Sequence, residues 1–301
     1  MAAVAVVTRT KDRVLLLRRC IETVLNQGFA HWVHVIVNDG GAPDEVEALA
    51  AEYRERYGDR LILIHNAESR GMEAAANIGV AASSSELVAV LDDDDTWDPA
   101  FLGTCIAALR AETYPGTRGI ICRTDIVYER ITGTEIRRLR QFAYNADMVA
   151  VELQAVLAWN RFSPVSFLFE RAVFDEIGLF DESLPVCGDW EFFIRFLLRY
   201  EIAVVPQALA FWHQRPEPSS RFGNSVSAGA DLHRVVRARL ANRWLREAFA
   251  SGRLTLGEAF IAANAAEYSK VLHDSWWRLR TSAPYRVLMR AYRAVRSLGR
   301  Y

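Results

Sequence analysis

The chain contains 301 residues, of which 51% are hydrophobic and 24% charged, and its formal net charge is −1. This composition is ordinary for a globular protein, and the near-neutral charge excludes a general electrostatic attraction for nucleic acid. No apolar run approaches the length of a membrane span, and the N-terminus lacks the basic flank of a signal peptide. The four cysteines are scattered without the spacing of a metal site, so we expect reduced thiols in a cytoplasmic protein.

Strands and helices alternate through the first third of the chain. Short apolar runs, typical of buried strands, are followed by polar loops and then by segments in which apolar residues recur at helical spacing. The predicted strands cover residues 4–7, 32–37, 61–64 and 87–91. The predicted helices cover residues 14–26, 43–57, 72–82 and 101–111. This alternation is typical of βαβ units, so we expect a mainly parallel α/β sheet whose strands end in polar loops on one edge.

The pattern changes after residue 111. A hairpin of two strands is predicted over residues 119–128 and 134–139. The shorter elements that follow are helices over residues 146–159, 171–177 and 188–200 and strands over residues 164–169 and 202–205. Residues 206–224 contain three prolines and are predicted to form a loop, and the chain is predicted to be helical from about residue 228. We therefore divide the chain into residues 1–118, 119–225 and 226–301.

Four consecutive aspartates at positions 92–95 follow the fourth predicted strand. Their mutual repulsion should raise at least one pKa unless a cation neutralises them. Mg²⁺ prefers oxygen ligands and usually takes one or two carboxylates together with substrate phosphates. Asp98 as N-cap and Pro99 in the first turn are expected to begin the next helix. The cluster thus lies in a strand-to-helix loop, at the edge where open α/β sheets bind ligands. The alternative is a solvated acidic turn.

Five segments of the chain match the motifs of a known family in order and spacing. They are TKDR at 10–13, NDGG at 38–41, GMEAAANIG at 71–79, LDDDD at 91–95, and FDE at 180–182 followed by GDWE at 188–191. On these segments the chain resembles the family 2 glycosyltransferases, inverting enzymes of GT-A fold that use nucleotide-sugar donors. The resemblance covers residues 1–215. It implies a Rossmann-like, mainly parallel sheet with helices on both faces, and leaves a helical C-terminal extension outside the motifs.

The resemblance also implies roles for individual residues. Asp94 would be the main direct ligand of Mg²⁺ or Mn²⁺, with His213 as a further candidate, and Asp189 would be the general base that takes the proton of the acceptor hydroxyl. Asp39 would accept a hydrogen bond from N3–H of uracil or thymine. The other donor-binding candidates are Thr10, Arg13, Arg70, Asn77, Asp92, Asp93 and Arg215, and Arg221 lies in the same loop as Arg215.

Two positions depart from the family pattern. Ala76 stands where the family often has Arg, so a cation near the diphosphate is missing unless Arg70 or Arg13 supplies it. Gly188 stands where the family often has Glu, which changes the surroundings of the base.

Asp189 has a second interpretation as a helix cap. At the start of a helix the macrodipole lowers the pKa of a carboxylate, whereas burial beside Trp190 and Phe192 would raise it. The sequence leaves open which effect is larger.

These patterns predict a metal-dependent inverting glycosyltransferase, a hexosyl- or deoxyhexosyltransferase. It would move a sugar from a UDP or dTDP donor to a hydroxyl of a glycan or lipid-linked glycan in bacterial surface polysaccharide synthesis. Two alternatives stay open: a catalytically silent module that binds sugar nucleotides or acts as a scaffold, and a metal-dependent nucleotidyltransferase. Product analysis separates the last of these from a glycosyltransferase.

Residues 276–301 interleave aromatic and aliphatic side chains with arginines, and no acidic residue follows Asp274. A basic helix with an apolar face suits a membrane interface, so we predict peripheral contact with the inner face of the cytoplasmic membrane. The alternatives are a helix packed on the catalytic domain and a contact with another domain or subunit. No nucleic-acid-binding module is recognisable in the sequence, so we expect no nucleic-acid partner.

Overall fold

The computed structural model describes residues 2–112, 114–215, 222–224 and 229–262. Their strands form one sheet of nine strands with helices beside it. The strands are β1 (Val4–Thr10), β2 (Trp32–Asp39), β3 (Leu61–Asn66), β4 (Leu87–Val90), β5 (Thr96–Trp97), β6 (Thr117–Thr132), β7 (Glu135–Ala143), β8 (Phe167–Glu170) and β9 (Glu201–Gln214). The helices are α1 (Val14–Leu25), α2 (Pro43–Glu52), α3 (Arg54–Tyr57), α4 (Met72–Ala81), α5 (Phe101–Ala111), α6 (Leu153–Ala158), α7 (Val173–Ile177), α8 (Gly188–Leu197) and α9 (Ala230–Ala250).

The strand order places the ends of β1, β2 and β4 next to one another. The order is β3-β2-β1-β4-β8-β6-β9-β5, and β7 pairs with β6. The first four strands are parallel, with Val4 of β1 opposite Trp32 of β2 and Leu87 of β4. Antiparallel β8 then joins β4 to β6. The predicted mainly parallel α/β sheet is confirmed, and the polar loops after its strands meet at one edge.

Helices cover both faces of the parallel half, because alternate residues of each strand point to opposite sides. In β2, Ile36 belongs to the large core cluster that includes residues of α1 and α2, whereas Val35 and Val37 pack with Ala75 of α4. A Cβ atom at Gly79 would lie 2.3 Å from a methyl carbon of Val7. This close approach fixes α4 against the sheet, and with it the loop that leads into α4.

Three helix predictions needed correction. The helix predicted over residues 43–57 is broken at Tyr53 into α2 and α3. The helix predicted over residues 101–111 is confirmed as α5, but its N-cap is Ala100, so Asp98 and Pro99 precede the helix instead of forming its cap and first turn. Only Leu153–Ala158 of the predicted 146–159 helix is helical. Asn145 Oδ1 accepts a hydrogen bond from Thr124 N at 2.8 Å, which ties the preceding segment to β6 rather than to a helix.

Two strand predictions were also too short or displaced. The strand predicted over residues 164–169 begins with a 3₁₀ turn, Pro164–Ser166, before β8. The strand predicted over residues 202–205 continues to Gln214 as β9, so much of the predicted loop is part of the sheet. Val205 pairs with Cys122, but the next pair is Ala208 with Arg123, so the chain bulges around Pro206. A bulge tolerates proline because the missing N–H is not needed there.

The chain divides into two compact units between Arg237 and Ala238. The predicted boundaries at residues 118 and 225 stay predictions. The strands on either side of residue 118, β4 and β6, belong to one sheet. The predicted C-terminal helical structure is present in α9 and over residues 256–262. Arg221 and the predicted membrane-contact segment, residues 276–301, lie outside the described residues. None of the described helices is both long enough and apolar enough to cross a membrane.

Candidate active site

A cavity of about 830 Å³ opens at the sheet edge where β1, β2 and β4 end. Of the residues singled out from the sequence, its wall contains Thr10, Arg13, Asp39, Asp92, Asp94 and Asp189. The same wall includes the start of α8, so the strand-end loops and the expected base face one space. The sequence motifs therefore converge on a single cavity although they are spread over about 180 residues.

Arginines from the beginning of the chain hold the first two aspartates of the cluster. Arg9 Nε donates to Asp92 Oδ1 at 2.9 Å, and Arg13 Nε donates to Asp93 Oδ2 at 3.1 Å. Thr10 Oγ1 also donates to Asp93 Oδ2, at 2.7 Å. Asp93 is fully buried and is not part of the cavity wall, so its carboxylate contacts the wall only through Thr10 and Arg13.

Asp94 is held by two residues that follow β9, Arg215 and Asn224. Arg215, which follows β9, donates to Asp94 Oδ2, and Asn224 Nδ2 donates to the same oxygen at 3.3 Å. Arg13 Nη1 lies 3.5 Å from that oxygen. Arg215 N in turn donates to Asn224 Oδ1 at 2.8 Å. The carboxylate thus closes a network that joins the β4 loop to the segment after β9.

The ionisation of the cluster follows from burial and from these partners. Burial raises the pKa of Asp93, and the positive charge of Arg13 only partly opposes it. Burial acts in the same direction on Asp94, but the charges of Arg13 and Arg215 outweigh it and its pKa lies below the ordinary value. The pKa of Asp95 is raised by burial and by the charge of Asp94. Asp94 is therefore the buried carboxylate of the cluster that stays negative.

Glu129 of β6 is a further buried carboxylate that shares Arg215 with Asp94. It accepts hydrogen bonds from Arg19 Nη1 at 2.6 Å, from Arg215 Nη1 at 2.8 Å and from His213 Nδ1 at 2.8 Å. Burial opposes its ionisation, yet the bonds from His213 and Arg19 lower its pKa to about 2. Glu129 thereby anchors the arginine that reaches Asp94.

His213 has no ring nitrogen to offer to a metal ion in this arrangement. Its Nδ1 bonds Glu129, and its Nε2 lies 2.9 Å from Thr96 Oγ1. Burial lowers its pKa, which favours the neutral ring. His213 therefore belongs to the buried network, and its role as a metal ligand stays a prediction that would require one of these hydrogen bonds to be given up.

Asp94 and Asp92 have the chemistry that a hard divalent cation requires. The hydrogen bonds among the described residues leave Asp94 Oδ1 and Asp92 Oδ2 without a donor, and both side chains line the cavity. Within the described ranges no three His, Cys, Asp or Glu side chains form a metal cluster. One or two carboxylates suffice for Mg²⁺ when substrate phosphates complete its coordination. The residues fit such an ion.

Asp39 lies at the end of β2 and accepts four hydrogen bonds. Asn66 Nδ2 and Arg70 N donate to Oδ1 at 2.8 and 2.9 Å, and Ser69 Oγ and Gly71 N donate to Oδ2 at 2.8 and 3.0 Å. Burial alone would raise its pKa, but these donors lower it. The carboxylate is therefore a fixed acceptor at the base of the loop that enters α4.

Two predicted donor-binding residues have other contacts. Arg70 contacts Asp39 through its backbone N–H while the residue is exposed. Asn77 is buried in α4, where Nδ2 donates to Phe180 O and to Glu182 Oε1, both at 2.9 Å, and Oδ1 accepts from Phe180 N. Asn77 thus fastens the loop before α8 to α4.

Asp189 occupies the second position of α8 and lines the cavity. Its Oδ2 accepts a hydrogen bond from Asn160 Nδ2 at 3.1 Å. Burial raises its pKa more than the N–H of Trp190 and the charge of Arg9 lower it. Of the two effects that the sequence left open, burial is the larger, and the raised pKa makes the Asp189 carboxylate a stronger base.

A second carboxylate, Glu73 of α4, fills the space that Gly188 leaves empty. A Cβ atom at residue 188 would lie 2.3 Å from Glu73 Cδ. Arg9 Nη1 lies 3.7 Å from Glu73 Oε2. Ala76, Arg9 and Glu73 also share a small cavity with Asp189. Arg9 therefore provides a cation beside Ala76, where the family pattern has an arginine on the helix.

Sequence reasoning missed Arg9, Glu73, Glu129 and Asn160. Arg9 carried one usable signal, because a charged residue ends an otherwise buried strand directly before the TKDR motif. Glu73 lies inside the third motif, yet its burial depends on the missing side chain at Gly188. Glu129 and Asn160 carried no local signal, since their partners are 84 and 29 residues away.

Comparisons with known proteins identify the family of the chain. The sequence model described as "Glycosyl transferase family 2" matches residues 5–176. The "Uncharacterized glycosyltransferase YwdF" of Bacillus subtilis (strain 168) is 26% identical over 206 residues, which cover 68% of this chain and 72% of that protein. The "PGL/p-HBAD biosynthesis glycosyltransferase" of Mycobacterium bovis (strain BCG / Pasteur 1173P2) is 27% identical over 191 residues, 64% of this chain and 68% of that protein.

Solved structures show the same fold. The structure of S. aureus TarS 1-349 in complex with UDP-GlcNAc superposes with a TM-score of 0.58 at 18% identity. The superposition covers 78% of this chain and 65% of that one, so the chain spans less than two thirds of its length. The fold is thus that of a GT-A glycosyltransferase, as the motifs predicted. Because the family match covers more than half of the 301 residues, the chain belongs to glycosyl transferase family 2.

Proposed function

We propose that this chain transfers a sugar, with inversion, from a nucleoside diphosphate donor to a hydroxyl of a glycan acceptor. The observation that carries the proposal is that Asp94 and Asp189 line one cavity from opposite elements. Asp94 comes from the loop after β4 and stays negative, whereas Asp189 comes from α8 and has a raised pKa. A carboxylate that can hold a metal ion on the donor side and a base on the acceptor side are two groups that such a transfer uses.

The names of similar proteins support the classes of donor and acceptor. Structures of S. aureus TarS 1-349 have been solved in complex with UDP and with UDP-GlcNAc. Mycobacterial relatives are named for PGL/p-HBAD biosynthesis. We therefore propose a UDP-sugar as the first candidate donor, with dTDP-sugars second, and an acceptor in bacterial surface polysaccharide or glycolipid synthesis. All four cysteines are free, which supports a cytoplasmic location.

The donor would lie against the ends of β1, β2 and β4. Asp39 would accept the N3–H of uracil or thymine, and the Ser69 hydroxyl, which can rotate, would give up its place on the carboxylate. Arg13 lines the cavity, and Arg215 reaches Asp94 directly behind it. Guanidinium groups suit diphosphate oxygens because their paired N–H donors match that geometry.

A divalent cation, Mg²⁺ or Mn²⁺, would be held by Asp94 with Asp92. When bound, such an ion neutralises the charge that develops on the departing diphosphate.

Asp189 would take the acceptor proton. The acceptor oxygen bonds to the anomeric carbon while the bond from that carbon to the diphosphate oxygen breaks, and the hydroxyl proton passes to the carboxylate. The raised pKa of Asp189 strengthens it as a base. The bond from Asn160 Nδ2 orients one carboxylate oxygen and leaves the other for the acceptor.

Calorimetric titration with UDP, dTDP, GDP and CDP, each with and without Mn²⁺, tests the proposal. We expect UDP or dTDP to bind with clear dependence on the metal. CDP should bind more weakly because cytosine N3 carries no hydrogen for Asp39 to accept, and GDP because its larger purine places its N1–H farther from the ribose than N3–H of uracil. Incubation with the matching sugar nucleotide and a glycan mixture should then yield a glycosidic product of inverted configuration. Binding of none of the four nucleotides, or a pyrophosphate-linked product, would contradict it.

A further inference from the structure

Aromatic side chains form the cavity wall on the side of Asp189. The side chain of Trp159 is conspicuous, since the residue is 63% exposed although it lines the cavity. Trp212 packs edge-on against Tyr144 with ring centroids 5.6 Å apart, and both rings line the same cavity. The Tyr144 hydroxyl donates to Asn160 O at 2.8 Å, which links this wall to the residue that holds the base. The cavity thus offers flat apolar surfaces next to Asp189.

Three polar atoms in this part of the wall are buried without a hydrogen-bond partner among the described residues. They are Asn160 Oδ1, Gln214 Nε2 and His233 Nε2. The Gln214 residue is only 7% exposed, so bulk water does not compensate its amide. His233 uses its other nitrogen, Nδ1, at 3.3 Å from Cys187 Sγ. A buried polar atom without a hydrogen-bond partner is destabilising, and a ligand that pairs all three atoms removes that cost.

The charges around these atoms favour an uncharged ligand. Asp92 and Glu73 place two further carboxylates near the base, Asp189, which disfavours an acidic ligand. Four of the described arginines line the cavity, and each has a partner. Arg9 pairs with Asp92, Arg13 with Asp93 and Arg234 with Asp231, and Arg237 donates to the carbonyl of Ala158. The Arg237 guanidinium also lies 5.4 Å from the Trp159 ring centroid, so within the cavity wall it contacts the indole as well as the Ala158 carbonyl.

We propose that Tyr144, Trp159, Asn160, Trp212, Gln214 and His233 form an acceptor subsite for a neutral pyranose ring. This subsite rests on the proposed function, because it names what Asp189 would deprotonate. The apolar face of the ring stacks on Trp159, while its hydroxyls accept from Gln214 Nε2, donate to Asn160 Oδ1 and bond His233 Nε2. A pyranose matches this wall because it carries an apolar C–H face and a rim of hydroxyls, whereas a flat apolar ligand would leave the three atoms unpaired.

An array of immobilised neutral and acidic oligosaccharides, probed with the full chain in the presence of UDP and Mn²⁺, tests the subsite. We expect retention on a group of neutral glycans. Trp159→Ala should weaken it about tenfold, and Trp159→Phe should restore most of it because the aromatic face returns. Tyr114→Ala is the matched control, because Tyr114 is 75% exposed and does not line the cavity. Its retention should equal that of the wild-type chain.

Retention unchanged by Trp159→Ala, retention on acidic glycans alone, or no retained glycan would each overturn the subsite. Calorimetry with UDP on the same preparation separates this failure from failure of the proposed function. UDP binding without any glycan retention would remove the subsite and leave the donor site intact. Glycan retention that depends on Trp159 without UDP binding would support the subsite and refute the donor assignment.

Discussion

The side chain of Glu73 occupies the space beside Gly188 at the start of α8, and Gly188→Ala tests that contact directly. A Cβ atom at residue 188 would lie 2.3 Å from Glu73 Cδ and 2.5 Å from Glu73 Oε1. Glu73 is 5% exposed and lies 3.7 Å from Arg9 Nη1, so its carboxyl cannot swing into water without leaving that partner. We therefore expect G188A to lower the free energy of unfolding.

The structure sets the size and the sign of the effect. Overpacking a buried site typically costs about 1–3 kcal/mol, and a contact of 2.3 Å to a carboxyl carbon requires that the neighbour move. Once Glu73→Ala removes the carboxyl, the added methyl group fits. G188A should then be neutral or stabilising by up to about 1 kcal/mol, because alanine favours helix more than glycine does. The two substitutions should therefore couple by about 1–3 kcal/mol, as contacting residues do.

Urea unfolding of the wild-type chain, G188A, E73A and the double variant measures this coupling. Gly103→Ala is the matched control: Gly103 lies in α5, and an added Cβ there meets only Phe29 Cβ at 4.0 Å. G103A should have the same small effect with and without Glu73. If G188A costs the same in both backgrounds, or costs nothing, Glu73 does not occupy the space beside the base and our reading of Gly188 is wrong.

Three further predictions concern the carboxylates of the cavity. Asp94→Asn should weaken Mn²⁺-dependent UDP binding at least about tenfold in calorimetry, since it removes the charged ligand. The control Asp44→Asn, at an exposed residue, should leave UDP binding unchanged. Equal UDP affinity of Asp94→Asn and the wild-type chain would exclude Asp94 from the metal site. Asp189→Asn should leave UDP binding unchanged and slow transfer on the order of 10²–10⁴-fold, and a normal rate would end its assignment as the base. Burial raises the pKa of Glu73 from 4.5 to about 7. The protonated carboxyl therefore makes its full contribution to the free energy of unfolding below pH 4.5, and this contribution is lost as the pH rises to 7. Glu73→Gln should therefore gain stability relative to the wild-type chain across that window, by up to about 3 kcal/mol above pH 7, and a pH-independent difference in urea unfolding would refute the raised pKa.

The parallel half of the fold was predictable because its signals are local. Each strand of that half is a short apolar run, and each following helix shows its own spacing of apolar residues. The errors arose where a distant partner decides the structure. Thr96–Trp97 is a strand only because β9 lies beside it, and β9 extends to Gln214 only because β6 pairs with it through a bulge at Pro206. A window of neighbouring residues contains neither fact.

The location of the site was also predictable, whereas most of its contacts were not. The motifs identified Asp39, Asp94 and Asp189, which all line the cavity. Glu129 escaped notice because nothing in the local sequence of β6 distinguishes it from a surface glutamate, yet it is 1% exposed and anchors Arg215. His213 was a candidate ligand from the family resemblance, and its two protein partners, Glu129 and Thr96, became visible only once β6, β9 and β5 were placed side by side.

The aspartate cluster shows why residue type alone could not assign roles. In the sequence the four residues are equivalent, but the fold gives each a different neighbour. Asp92 pairs with Arg9 at the cavity surface, Asp93 is buried under Thr10, and Asp95 Oδ1 accepts from His213 N at 2.8 Å.

Asp94 differs from the other three because two arginines, Arg13 and Arg215, offset the cost of its burial. Their charges let it stay ionised where Asp93 and Asp95 have raised pKa values. The same two guanidinium groups are suited to bind phosphate oxygens. Arg13 lines the cavity, whereas Arg215 is buried and anchored by Glu129. A donor diphosphate that drew Arg13 away from Asp94 would leave less positive charge beside that carboxylate, which favours its binding of a divalent cation. Donor and metal binding should therefore be coupled through Arg13.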